Sequence, residues 1–250
     1  MPRMNWQALK DHISIIYPNV RRCYPFKSRC DLLATPVMLC VSTGFITNLV
    51  RQKFKNRQTT RGSKRFLLAV IIVANIAVYI LWQNPSQNTL AFLEKYMVAD
   101  VYGPSRTLAM VGATFSHMDP HHLMANMCSL AMTDTTDIEP CTFLHIYITG
   151  GLITALGSYI HSIVKPWRSR GSIGASGAIY SVFGYSLAKR SFYSLSPLSH
   201  GSRRQIPSSI VFMGITMFEL LGLLLNEDRI DHVGHLCGFS FGWLMGKLHN

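Results

Sequence analysis

Ser176 stands between small residues in Gly174-Ala175-Ser176-Gly177, inside an otherwise apolar stretch from Ile173 to Ala188, and His235 lies near the head of a later apolar stretch. A serine hydroxyl becomes an effective nucleophile when a neutral histidine within hydrogen-bond reach takes its proton. The pair therefore suggests hydrolysis, with Ser176 attacking and His235 as the base. The oxyanion formed on attack needs donors already in place, and the Asn126 amide, a His122 ring nitrogen and the Ser176 backbone N–H are the candidates. His122 and Asn126 are four residues apart behind Pro120, so a helix begun at that proline stacks them on one face. Asp231 precedes His235 by one turn. It is either a third acid that orients the ring or a charge at a helix start facing water, and we favour the second reading, a Ser–His dyad. Tyr180, one turn beyond Ser176, can pack its ring on the His235 imidazole.

These groups need scaffolding, and the composition points to a bilayer. Charged residues make up 14% of the chain against 48% hydrophobic, and the mean hydropathy is +0.20, so the apolar residues are concentrated in spans. Candidate spans are 32–50, 66–82, 122–132, 143–164, 173–188, 206–225 and 232–248, with a further apolar stretch at 107–115. Strand periodicity is absent, so the expected fold is an all-α membrane protein with one leading span and a six-span core. Asn126, Ser176 and His235 lie near the starts of alternate core spans, which brings them to the same leaflet. A helix running from Arg170 would set Ser176 about 9 Å below the charged boundary. Gly234, Gly238, Gly242 and Gly246 recur every four residues, and with Gly174 and Gly177 on the serine stretch they predict a close helix contact.

The formal net charge of +12 is uneven. Arg51, Lys53, Lys55, Arg57, Arg61, Lys64 and Arg65 form one cluster without an acid, which reads as a topology signal and a contact for anionic lipid. Phe54 is the one aromatic residue among them, too little for base stacking, so nucleic acid is not an expected partner. Residues 1–31 are basic as well and read equally as an organelle transit segment or a plain basic tail. The expected organisation is thus a basic segment 1–31, an extra span 32–50, a basic linker 51–65 and a core 66–250. The six cysteines show no metal-ligand spacing, and neither a metal nor an organic cofactor is expected. Between Gln83 and Arg106, Leu90, Leu93, Met97 and Val98 suggest a helix lying in the membrane interface, with Glu94, Lys95 and Asp100 facing away.

Gly174-Ala175-Ser176-Gly177, the His122-x-x-x-Asn126 pair after His117, and Gly234-His235-Leu236-Cys237-Gly238 together resemble the rhomboid intramembrane serine proteases. Thr114-Phe115-Ser116-His117, Ala125-Asn126-Met127 and Asp231-His232 resemble in particular the mitochondrial, presenilin-associated rhomboid-like branch. The resemblance implies a six-helix rhomboid core with one extra N-terminal helix and a Ser176–His235 dyad. It also implies an oxyanion site at Asn126 and His122, and supporting roles for Tyr180, His117, Gly174, Gly177 and Gly238. It further implies single-span membrane proteins as substrates, cut in or near their membrane segment, and a place in the mitochondrial inner membrane. Two other readings use the same pocket, a catalytically inactive binder of membrane clients and a small-solute channel or transporter. The intact serine, histidine and oxyanion donors weigh against the first, and the scarcity of paired charges in the spans weighs against the second.

Overall fold

The computed structural model describes residues 29–54, 61–133, 138–165, 171–194, 205–225, 227 and 230–249. The basic segment up to residue 28 and residues 55–60 of the basic linker lie outside the described residues. Among the described residues nine helices and one pair of short strands follow in the order α1 (Arg29–Phe54), α2 (Arg61–Gln83), α3 (Gln87–Tyr96), α4 (Arg106–Ala113), α5 (Pro120–Met132), α6 (Pro140–Val164), α7 (Ser176–Ala188), β1 (Phe192–Ser194), β2 (Gln205–Pro207), α8 (Ser208–Leu224) and α9 (His232–Leu248). Three of the helices, α1, α2 and α6, are long and apolar enough to cross a bilayer. The outer faces of α1, α2 and α8 carry large exposed apolar side chains. Met38, Val41 and Phe45 on α1, Phe66, Val73 and Ile80 on α2, and Met213, Met217 and Leu224 on α8 are all exposed. An apolar surface of that extent suits lipid rather than water. Helix α6 is the opposite case, with 67% of its apolar window buried against 11% for α1 and 17% for α2. It forms the central post, packed by α1, α7 and α9.

Local chemistry sets where the helices begin. Asp119 caps α5, its Oδ1 accepting from the His122 N–H at 2.9 Å, and Pro120 follows in the first turn where no N–H is needed. Asp231 caps α9 in the same way through Gly234 N–H at 2.9 Å. Two starts differ from the sequence-based expectation. The stretch from Ile173 becomes helical only at Ser176, because Gly174 takes φ +127° and the residues before it run sideways. Ser172 and Ala99 exchange both backbone hydrogen bonds at 2.9 Å, and Gly174 N–H reaches the Ala113 carbonyl at 2.9 Å. The 9 Å of helix expected above Ser176 is therefore replaced by irregular chain. The stretch from Ile206 likewise begins as a strand, β2, whose Ile206 pairs with Tyr193 of β1 in antiparallel register. Three-residue strands are too short for alternation to register in the sequence.

Helix α3 fulfils part of its expected pattern. Leu93 is fully buried beside Trp82, Val98 and Met118, with Leu90, Met97 and Ile173 against them, so the helix braces the segment leading to Ser176. It ends at Tyr96, however, and Asp100 beyond it is 5% exposed rather than outward-facing, with Oδ1 accepting from Tyr102 N–H at 2.9 Å.

The contact between α7 and α9 is the most extensive in the bundle. A Cβ added at Gly238 would sit 2.5 Å from the Gly177 carbonyl oxygen, one at Gly246 would sit 2.6 Å from the Ala188 Cβ, and one at Gly242 would fall on the Ser181 carbonyl. Gly184 on α7 meets the Phe239 carbonyl of α9 just as closely. Gly234 is the exception in the series, since its neighbours are its own cap, Asp231, and Ser158. Backbones this close leave no room for a methyl group. Gly242→Ala should therefore destabilise the protein by about 1–3 kcal/mol through overpacking, whereas Gly214→Ala, with nothing within 4 Å, should be neutral or slightly stabilising. Thermal unfolding of the two variants in detergent checks this pair of outcomes.

Candidate active site

Ser176 is the first residue of α7 and His235 lies in the first turn of α9, so the packing of these two helices decides their separation. Ser176 Oγ and His235 Nε2 are 2.8 Å apart. The Tyr180 ring stacks on the His235 imidazole with centroids 4.5 Å apart and planes 14° from parallel, and Phe239 meets the edge of Tyr180 at 6.2 Å. The imidazole is thereby fixed in plane. Because α7 begins at Ser176, the amides of its first turn have no carbonyl partner within the helix. They are free to face an anion, and this is a stronger donor set than the single Ser176 N–H expected within a longer helix.

The residues before Ser176 are held by two histidines. His117 is fully buried and its Nε2 accepts from Ala175 N–H at 3.4 Å, which makes Nδ1 the protonated nitrogen of that ring. His122 lies edge-on to His117 with ring centroids 4.9 Å apart. Its Cε1 would be 2.8 Å from a Cβ at Gly174, where the backbone conformation also disfavours any other residue. Gly174 thus carries the His122 ring to within two residues of Ser176. Asn126 is 6% exposed and donates from Nδ2 to the His122 carbonyl at 3.0 Å, which leaves its second amide hydrogen for another acceptor. Gly177 and Gly238 both face Thr154 of α6, which would clash with a side chain at either position. Among the described residues no set of three or more His, Cys, Asp or Glu side chains is arranged to hold a metal ion.

The acids are distributed differently from the expectation. Asp231 does act at the helix start, but it is half-buried and also bonded to side chains of other segments. Its Oδ2 accepts from Ser172 Oγ at 2.8 Å and, at short range, from Ser158 Oγ, joining α9 to α6 and to the segment before Ser176. The acid that meets His235 is Glu219 of α8. This side chain is fully buried, with Oε1 3.2 Å from His235 Nδ1 and Oε2 2.5 Å from His232 Nδ1. Sequence reading passed over Glu219, although it is the single charged residue between 206 and 225. A lone acid in an apolar span is itself a functional signal. Gly222, one turn further on, supplies the space for the His232 ring.

With this geometry in hand, comparisons with known proteins agree on one family. The sequence pattern of the rhomboid domain matches residues 104–249, more than half of the chain. Presenilin-associated rhomboid-like protein A, mitochondrial, of Danio rerio is 29% identical over 188 residues, covering 72% of this chain and 47% of its own length. Rhomboid protein 1, mitochondrial, of Saccharomyces cerevisiae is 27% identical, covering 72% and 54% respectively. The presenilin-associated rhomboid-like protein, mitochondrial, of Homo sapiens is 28% identical, covering 69% and 45%. The chain thus spans about half the length of the curated relatives it matches.

The split between the two acids is open to direct measurement. Asp231→Ala removes an N-cap and two serine contacts but no partner of the His235 ring, so it should cost about 1–2 kcal/mol of stability. Labelling of Ser176 by a serine-directed fluorophosphonate should slow by less than about tenfold, because a displaced orienting acid would instead cost orders of magnitude. Thermal unfolding and labelling time courses on the same preparation check both halves.

Proposed function

The chain belongs to the rhomboid family, and on that premise we propose that it is an intramembrane serine endopeptidase that cuts single-span membrane proteins in or near their membrane segment. The observation that carries the reading is the 2.8 Å contact of Ser176 Oγ with His235 Nε2, under a stacked Tyr180 and inside a helical bundle faced with exposed apolar side chains. In the proposed reaction Ser176 Oγ attacks the scissile carbonyl carbon while His235 Nε2 takes its proton. The oxyanion is held by the first-turn amides of α7, the remaining Asn126 amide hydrogen and His122. His235 returns the proton to the leaving amine nitrogen as the C–N bond breaks, and a water molecule then hydrolyses the acyl-enzyme by the same two proton transfers. No metal or organic cofactor takes part in this scheme.

We assign the extra span to α1 and the six-helix core to α2, α5, α6, α7, α8 and α9, giving residues 1–31, 32–50, 51–65 and 66–250 as basic segment, leading span, basic linker and protease core. Helix α5 and helix α7 have 13 residues each, about 20 Å of helix. Shielding by neighbouring helices and the irregular segments ahead of them lets such short helices serve as spans. The three relatives named above carry the word mitochondrial in their names, and we place this chain in the mitochondrial inner membrane, in contact with the bilayer and without a nucleic-acid partner.

Ser176→Ala and His235→Ala should each abolish cleavage of a single-span substrate in proteoliposomes and abolish fluorophosphonate labelling, while the protein stays folded and membrane-inserted. Groups acting as one unit fail together, so the double variant should be hardly slower than either single one. Proteolysis that persists in Ser176→Ala, or wild-type protein that neither labels nor cleaves, overturns the protease reading.

A further inference from the structure

Glu219 is a fully buried acid on a helix that is otherwise turned outward, where it and Ser208 are the buried residues. A buried carboxylate is tolerable only when its oxygens are satisfied by donors. Here two imidazoles donate, His232 at 2.5 Å and His235 at 3.2 Å, both through Nδ1, and the Tyr180 hydroxyl is a further donor to the same carboxylate. An ionised carboxylate only accepts hydrogen bonds, so each Nδ1 must carry hydrogen. A neutral ring protonated at Nδ1 has a bare Nε2. On His235 that Nε2 faces the Ser176 hydroxyl, and the bare nitrogen is the form able to take its proton. The opposite tautomer would point N–H at the hydroxyl and block the transfer. Stacking by Tyr180 fixes the plane of the ring but is indifferent to which nitrogen is protonated.

We propose that Glu219, clamped by His232, holds His235 in the tautomer that accepts the Ser176 proton, so that the site works as Ser–His–Glu rather than as a Ser–His dyad. This rests on the protease reading above. Glu219 touches no substrate atom and is a positioning residue. It stabilises the His235 imidazolium formed as Ser176 attacks, and that proton goes on to the leaving amine, so the carboxylate itself stays ionised throughout. The tighter contact with His232 fixes the carboxylate in place, while Gly222 opposite leaves room for the His232 ring. The charged and titratable groups around His235 are Tyr180 of α7, Glu219 of α8, His122 of α5, and Asp231 and His232 of its own helix. Among them Glu219 is the acid bonded to the His235 ring.

The test uses the full chain in detergent micelles, labelled with 15N-histidine, together with kinetics on a single-span substrate in proteoliposomes. Wild-type His235, assigned by the signal lost in His235→Gln, should show a protonated Nδ1 and an unprotonated Nε2. The opposite pattern overturns the proposal without any substitution at Glu219 and without reference to proteolysis. Glu219→Gln keeps the side-chain shape, but its amide can donate to Nδ1 and select the wrong tautomer. We expect kcat to fall by about a hundredfold to ten-thousandfold, in the manner of an orienting acid in a soluble triad. KM should change by less than about threefold, as expected of a group that acts in the reaction step rather than in binding. Glu219→Asp should recover at least tenfold of the lost kcat. His232→Gln separates positioning from simple clamping. It breaks the shorter contact but keeps the anion on His235, so it should lower stability and leave the His235 Nδ1 protonated. The proposal is overturned if Glu219→Gln retains wild-type kcat, or if His232→Gln reproduces its kinetic loss in full. Wild-type protein with the expected tautomer but no cleavage or fluorophosphonate labelling would leave the His235–Glu219 contact standing and overturn the protease reading on which the proposal rests.

Discussion

Two helix backbones in contact without intervening side chains are what the site depends on. A 2.8 Å hydrogen bond between short side chains on different helices requires their axes to approach more closely than ordinary core residues allow. Along α7 and α9 that approach comes from Gly177 and Gly184 on one side and Gly238, Gly242 and Gly246 on the other, several of them lying against a carbonyl of the opposing helix. In lipid there is no hydrophobic drive to press helices together, because acyl chains are as apolar as the side chains. Dispersion contact between smooth surfaces has to supply it, and smoothness means glycine. The same seam carries Phe239 inward, where it backs the Tyr180 ring that lies on His235.

The second constraint is how the chain reaches Ser176. A nucleophile in mid-helix would have its neighbouring amides tied into the helix and its carbonyl surroundings saturated. Placing the serine at the first position of α7 leaves amides pointing outward, at the end where the helix dipole favours negative charge. The cost is an irregular segment at membrane depth, and its backbone groups must be satisfied within the protein. Ser172 pairs with Ala99, Gly174 N–H reaches Ala113, and Ala175 N–H is taken by His117. His117 therefore matters to the site without approaching Ser176, because it completes the hydrogen bonding of the turn that presents it.

Much of this was legible in the residues, for physical reasons that also explain what was not. Spans are legible because apolar length is a property of the chain alone, and all seven candidate stretches contain a helix. The starts of α7 and α8 were not, since Ile173 and Ile206 look equally apolar in a helix, a strand or a turn, and only the tertiary hydrogen bonds to Ala99, Ala113 and Tyr193 separate these. Ser176 and His235 stood out through glycine context and parity. The acids were harder. Asp231 drew notice by being one turn from His235, but side chains one turn apart near a helix start share its N-terminal amides, and there Asp231 is engaged. Glu219 comes from a different helix, 16 positions away in sequence, and no local spacing ties it to His235.

Glu219 also gives α8 a meaning that its packing does not. That helix buries little against the bundle, and its exposed Met213, Met217, Phe218, Leu221 and Leu224 gain equally from lipid and from protein. Its apolar contact with α9 is concentrated in Phe212, whose ring meets Phe239 and Trp243. A carboxylate shared by two imidazoles is different, since in a medium of low dielectric each contact is stronger than in water and an unpaired acid is far costlier. The position of α8 and the orientation of His235 are then set by the same side chain. Any displacement of α8 that carried Glu219 away from α9 would leave a buried acid without its imidazole donors and the His235 ring without its carboxylate partner. The two penalties fall together, so the energetic cost of misplacing a lipid-facing helix is felt at the Ser176–His235 pair, through one hydrogen bond to His235 Nδ1.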